Sequence, residues 1–447
     1  MKTNYFVIAA LAATTLFASC DKDNSNNGLE ENGKATTMKV SINFPTVPQT
    51  RATGDPNATD NEAEVKTVDV FVYYGNSGNF GTHKHLDASD FTYAGSDGIA
   101  DKYTVTTKVP TTTGAKSVFA GINLPSSVVS SLVNQPMNSL YSTVQTLGRS
   151  DLTGTNGFVM FSTESVDRIF VEDENDPANN LTVKCQRLVA KVTVETSATV
   201  DVSGIPGLLA DLQFAINNFN TKIFMMQGDA DEYQDPNWLM SAYVGSDPVA
   251  AADFSQAVNA DYAPVLSRAL IANPTIDQYA PRYAAENTSE GKRQKEITRA
   301  TVRATFIPRD ITSGTTGNFT VNTTQTSTVQ TFYAVTPSVE EGTSYFFNVT
   351  AANAFAAEFG GSVITYNDGY CYWNIFLNKN ALNPTYNRWD VLRNDFYKCN
   401  ITRIVAPGYP NPDVKDPEET PDVDTNISAD IEILFWHTPI ISDYVLE

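Results

Sequence analysis

The stretch MKVSINFPTVPQTR, residues 38–51, decides how the rest of the chain is read. Met38, Val40, Ile42 and Phe44 are apolar and alternate with Lys39, Ser41 and Asn43, the two-residue period of a strand with one buried face. Pro45 and Pro48 end the ladder, because proline has no N–H to donate. Arg51, the first arginine in the chain, follows in a stretch rich in Thr, Gly, Asn and Asp, the composition of an exposed loop that proteases cut. A core strand followed by such a loop can be cut away from the domain it completes, which is a means of assembly and not of catalysis. The plainer reading is an edge strand before an ordinary loop.

Working outward, 447 residues exceed the roughly 250 to 300 that one core sustains, which predicts two domains. Charged residues make up only 18% and aromatic residues 11%, and Thr and Val recur throughout, so strands are favoured over helices. A formal charge of −21 with no basic stripe repels phosphate backbones and excludes nucleic acid as a partner. At the start, Lys2 precedes an apolar run over 5–17 that is too short to span a bilayer, and LFASC at 16–20 resembles a bacterial lipobox. The resemblance implies a signal peptide over 1–19, acylation of the Cys20 thiol and an outer-membrane lipid anchor, with 20–36 as a flexible tether. A plain secretory peptide with an incidental Cys20 is the alternative.

Short alternating runs separated by turn residues predict strands near 65–74, 102–110, 116–123, 158–163 and 181–196, and again near 212–217, 223–226, 301–308, 331–335, 345–350, 370–377 and 397–404. The main helical candidate is 125–145, with Ser126 and Ser127 as caps. Gly204, Pro206 and Gly207 mark a boundary, giving β-sandwich domains at 37–200 and 201–407 and a C-terminal segment at 408–447. Beyond Cys20, the three cysteines Cys185, Cys371 and Cys399 show no C-x-x-C spacing and read as small buried side chains, with a Cys371 to Cys399 bridge left open.

VKCQRLVAKVTV at 183–194 resembles the strand motif that closes the first domain in the fimbrillin family, the type V pilins of anaerobic Gram-negative bacteria. DPNW at 235–238, YAAENT at 283–288, RATVRATFIP at 299–308, DGYCYW at 368–373 and VLRNDFYKCNI at 391–401 follow in the order of that family's minor-fimbria branch. The resemblance implies a mainly β fold of two tandem, transthyretin-like β-sandwich domains with few short helices and a C-terminal donor-strand segment. It also implies maturation between Arg51 and Ala52 by an arginine-specific surface protease, and polymerisation with other fimbrial subunits into surface fimbriae for adhesion to a host or bacterial partner. Residues 241–279 match no part of the pattern.

Residue chemistry points away from an enzyme. G-x-S-x-G, H-E-x-x-H and P-loop spacings are all missing from the sequence. His83 and His85 share one strand face, yet two ligands do not make a metal site, and the acidic turn around Asp235 does not have EF-hand spacing. No cofactor is expected. Asn287, Arg393 and Asn394 suit the tying of loops to backbone groups. Trp238, Tyr372 or Trp373 would stack on sugars in a glycan-binding surface lipoprotein, the rival reading, and pack inside the fold in the structural one.

The far end supplies a counterpart to the first strand. Ile427, Ala429, Ile431, Ile433 and Phe435 alternate with polar residues, and Ile440, Tyr444 and Leu446 lie in a second apolar run. After a Pro-rich acidic linker of about 20 residues that reaches roughly 65 Å, these segments read as donor strands for a neighbour's groove. The alternative is that 427–446 finishes its own second domain. An anchor, accessory or tip subunit is the other role within the family.

Overall fold

A computed structural model describes residues 33–45, 60–96, 100–227, 235–236, 254–271, 278–288, 293–324, 326–338, 342–378, 389–421 and 427–435. The chain is mainly β, with strands in several sheets and few helices.

The first unit is one ten-stranded sheet. Its main path runs Phe80–Asp87, Thr67–Tyr74, Gly114–Ile122, Met160–Ser162, Asn180–Arg187, Ala35–Pro45, Ala100–Val105, Phe91–Ser96. Val166–Phe170 joins it on Gly114–Ile122, and Val109–Thr112 on Ala35–Pro45. Side chains from both ends of this path meet in one core, so the sheet closes over itself. Helices Ser126–Leu132 and Ser139–Ser142 add Val128, Leu132 and Leu140 to that core. They take the place of the single long helix expected over 125–145: Asn134 sits at φ 63° and Pro136 follows it, so the helical ladder cannot run through.

Val189–Asp201 belongs to another sheet. It pairs in parallel with Asp395–Ile404, antiparallel with Arg282–Ala285, and in parallel with Leu266–Ser267. The chain therefore changes sheets at Leu188, inside the 183–194 motif and before the Gly-Pro boundary expected from composition. A run read from sequence as one strand over 181–196 is two, because its apolar side chains serve different cores. Leu181, Val183 and Cys185 fill the first core and Ala190, Val192 and Val194 the second.

Facing that sheet across the second core is another, ordered Ala263–Pro264, Gly207–Asn217, Arg299–Pro308, Tyr370–Phe376. Between Arg299–Pro308 and Tyr370–Phe376, which pair with each other, a third unit is inserted. It is a small sheet ordered Asn318–Asn322, Ile311–Thr315, Ser344–Phe346, Phe332–Val335, Val363–Tyr366. Helix Val349–Phe359 packs on it through Ala351, Ala352 and Phe355. The strand expected at 345–350 ends at Phe346, and this helix begins at Val349. Asn348 caps it by accepting from the amides of Thr350 and Ala351, the alanine-rich run that follows favours helix, and Gly360 at φ 78° ends it. The 241–279 stretch, silent in the sequence, supplies Phe254–Ser255, Ala263–Pro264 and Leu266–Ser267 as short strands bonded to their neighbours.

Candidate functional site: the slot of the first strand

Ala35–Pro45 occupies an interior slot. Lys39 to Asn43 pair in parallel with Asn180 to Lys184 on one side. On the other side, Ser41 to Pro45 pair with Ala100 to Thr104, and Ala35 to Met38 with Val109 to Thr112. Met38, Val40, Ile42 and Phe44 are at most 1% exposed, and Lys39 is exposed, as the alternation required. Phe44 stacks on Tyr103 at 5.6 Å, and Phe91 and Tyr93 meet the same ring edge-on, so the strand's last apolar residue ends in an aromatic pocket. An interior position rules out the plainer reading of an edge strand.

Cys20, Arg51 and Ala52 lie outside the described residues, as do Ile440, Tyr444, Leu446 and Trp238. The last described strand, Ile427–Phe435, pairs antiparallel with Asp395–Ile404 at one side of its own sheet. Ile427 and Ala429 are buried in the second core and Ile431 packs against it, while Ile433 and Phe435 pair through their main chain with Tyr397 and Asp395. The stretch expected to be a free linker is docked over 408–421. Tyr409 and Tyr372 exchange backbone hydrogen bonds, the amides of Gln294 and Lys295 donate to the carbonyls of Glu419 and Pro417, and Glu418 pairs with Arg293 and Lys295. Proline spacing suggested an extended reach, but each of these bonds fastens the segment to its own domain.

The other singled-out residues act within the fold. Cys185, Cys371 and Cys399 are buried thiols and none of them forms a disulfide, so Cys371 and Cys399 are not bridged; burial pushes Cys185 and Cys371 up to about 12, which keeps those two protonated and inert. His83 Nε2 and His85 Nδ1 both lie 2.8 Å from one oxygen of Asp69, a fully buried carboxylate on the neighbouring strand. The carboxylate of Asp235 accepts from the Thr288 amide and from Asn220. Trp373 is fully buried and donates to the Ala406 carbonyl, and the backbone at Gly408 passes so near Tyr372 that a Cβ would fall 1.9 Å from its carbonyl oxygen. Trp373 is thus a packing residue, closed to sugars.

Asn287 and Arg393 do tie loops. Asn287 donates to the Glu296 carbonyl and Thr298, and Arg393 donates to Glu286 and to the carbonyls of Phe224 and Met225. Asn394 takes a positive φ of 61° at the turn before Asp395–Ile404. Sequence reasoning missed Glu62, Arg187 and Lys191, which meet at the junction of the two units. The signal was present, since two basic residues inside an apolar motif need a buried acid.

Such a chain is a mainly β protein of several sheets whose first described strand is bonded on both sides. Residues 36–201 match the family model described as major fimbrial subunit protein (FimA). Residues 364–439 match that of major fimbrial subunit protein type IV, fimbrillin, C-terminal. Together the two matches cover more than half of the chain, which belongs to the fimbrillin family of fimbrial subunits, proteins of cell-surface fimbriae.

Both descriptions are of major subunits, where the motifs had pointed to the minor branch. None of the curated proteins matches the chain. Among solved structures it is similar to a fimbrilin (fimA) from Porphyromonas gingivalis W83, 15% identical over 89% of this chain and 97% of that one, with a TM-score of 0.48. It is also similar to the C-terminally truncated tip fimbrial protein Mfa3 from Porphyromonas gingivalis, 15% identical over 90% and 100% of the two chains, with a TM-score of 0.40. A fimbrial assembly protein from Parabacteroides distasonis is 12% identical over 90% and 99%, with a TM-score of 0.40.

Proposed function

We propose that the chain is a fimbrial subunit exported as a lipoprotein through Cys20, cut between Arg51 and Ala52, and polymerised when a neighbour's C-terminal strand fills the slot left by the first strand. The observation that carries this reading is the interior position of Ala35–Pro45, bonded on both sides and buried through Met38, Val40, Ile42 and Phe44, directly before the stretch that holds Arg51. Emptying such a slot bares an apolar groove costing on the order of 6 to 12 kcal/mol, so a replacement strand is strongly favoured. Strand addition supplies it, with main-chain bonds for affinity and alternate side chains for register.

Ile427–Phe435 pairs with its own sheet, which fits equally a tail stored there in the uncut monomer and the alternative in which this strand only finishes its own domain. Arginine-specific cleavage followed by electrophoresis without boiling tests the proposal. A detergent-resistant ladder whose subunits begin at Ala52 is expected. A persistent monomer beginning at Cys20 overturns it and favours a glycan-binding surface lipoprotein.

A further inference from the structure

The 183–194 motif carries two cations into the interior. Arg187 is 1% exposed and Lys191 fully buried, and they flank Leu188, where the chain leaves one sheet for the other. Their main counter-charge comes from neither sheet, with Asp101 on Ala100–Val105 adding a smaller one for Arg187. The main one is Glu62, also fully buried, on the one-turn helix Asp60–Ala63, which in sequence follows Arg51 and precedes the strand Thr67–Tyr74. Lys191 Nζ sits 3.0 Å from Glu62 Oε1 and 3.2 Å from Oε2, and Arg187 Nε donates to the Glu62 carbonyl at 3.0 Å. Tyr283 donates its hydroxyl hydrogen to Oε1. Tyr283 lies on Arg282–Ala285 directly opposite Lys191, and Phe158 of the first unit meets its ring edge-on at 4.7 Å. Glu62 thus holds a side chain of the first unit's sheet through its main-chain carbonyl and two side chains of the second unit's sheet through its carboxylate.

We propose that Glu62 is a positioning residue that latches the two units together at the sheet change, and that it keeps them latched after the first strand has been cut away. The second half rests on the cleavage reading above; the first does not. Its logic is one of chain order. A cut at Arg51 falls upstream of Glu62, so the strand Ala35–Pro45 leaves while the latch stays on the body of the subunit. The opened slot then remains in fixed register with the second unit, which carries the tail. Without the carboxylate, Lys191 is a buried ammonium that must lose its proton or draw in water, and either change loosens the junction first.

Hydrogen exchange by mass spectrometry on the full chain tests this. In Glu62→Ala, amides of Val189 to Lys191 and of Tyr283 should exchange about 100-fold faster than in the wild type, while those of Arg299–Pro308 stay slow. The double variant Glu62→Leu, Lys191→Met removes both charges and should restore most of the protection, which also keeps the test open if Glu62→Ala fails to fold. Unchanged junction exchange in Glu62→Ala, or equal acceleration throughout the chain, overturns the latch. In wild-type protein cut by an arginine-specific protease, unchanged junction exchange supports persistence of the latch and acceleration there overturns it. Failure of that protease to cut after Arg51 rejects the cleavage reading and leaves the variant result standing.

Discussion

The first and last described strands look alike in sequence and differ in setting. Both alternate apolar and polar residues, but Ala35–Pro45 has bonded neighbours on two sides, whereas Ile427–Phe435 has one among the described residues, Asp395–Ile404. An interior strand holds two ladders and both faces of its neighbours in register, so its loss opens a groove. A strand bonded on one side leaves by giving up a single ladder, and the register shift between Ile401 and Arg403 already interrupts that one. The difference teaches which strand suits a slot to be refilled and which suits a part to be lent.

The largest effect should separate the two by deletion. A chain starting at Ala52 with no cut strand present is expected to lose about 6 to 12 kcal/mol, comparable to the whole stability of a domain, and to aggregate. A chain ending at Asp424 should stay a folded monomer that forms no polymer. Scanning calorimetry and light scattering decide between them; an Ala52-start chain that unfolds as cooperatively as the full one breaks the comparison, and a misfolded Asp424 chain shows that the tail is integral to its own domain.

Point substitutions sharpen it. Ile42→Ala removes buried methyl groups from a packed slot and should cost about 3 to 4 kcal/mol in urea unfolding, whereas Ile431→Ala, at a partly buried position, should cost about 1. Equal costs would show the tail strand to be held as firmly as the first.

The smallest effect concerns the edge of the first unit. His85 has its pKa raised above 6.5, chiefly by its hydrogen bond to Asp69 and further by the charges of Asp69 and Asp87, with partial burial opposing. Because the folded value lies above the unfolded one, this stabilisation is complete below about pH 6.5 and is lost as pH rises through the raised value. The melting-temperature gap between wild type and His85→Gln should therefore narrow from pH 6 to pH 8. His85 is half exposed, so solvent screening keeps the gap to a few degrees at most. A gap that widens with pH would place the charge on some other group.

Much of the fold was legible because strand periodicity is local. Alternation over 38–44 named the buried face of the first strand, and apolar runs at 116–123, 301–308, 370–377 and 397–404 located strands to within a few residues. The lipobox-like LFASC and the position of Arg51 likewise belong to the sequence alone. Pairing could not be read there, since a strand's neighbours are set by contacts far apart in the chain. The tertiary structure decided that residues 183–194 split between two sheets at Leu188, that 408–421 is docked along its own domain, and that Asn348 starts a helix where a strand was expected. It alone could show why Arg187 and Lys191 are tolerated inside. Their partner Glu62 lies more than 120 residues away, and a buried charge is affordable only where the fold brings its opposite within reach.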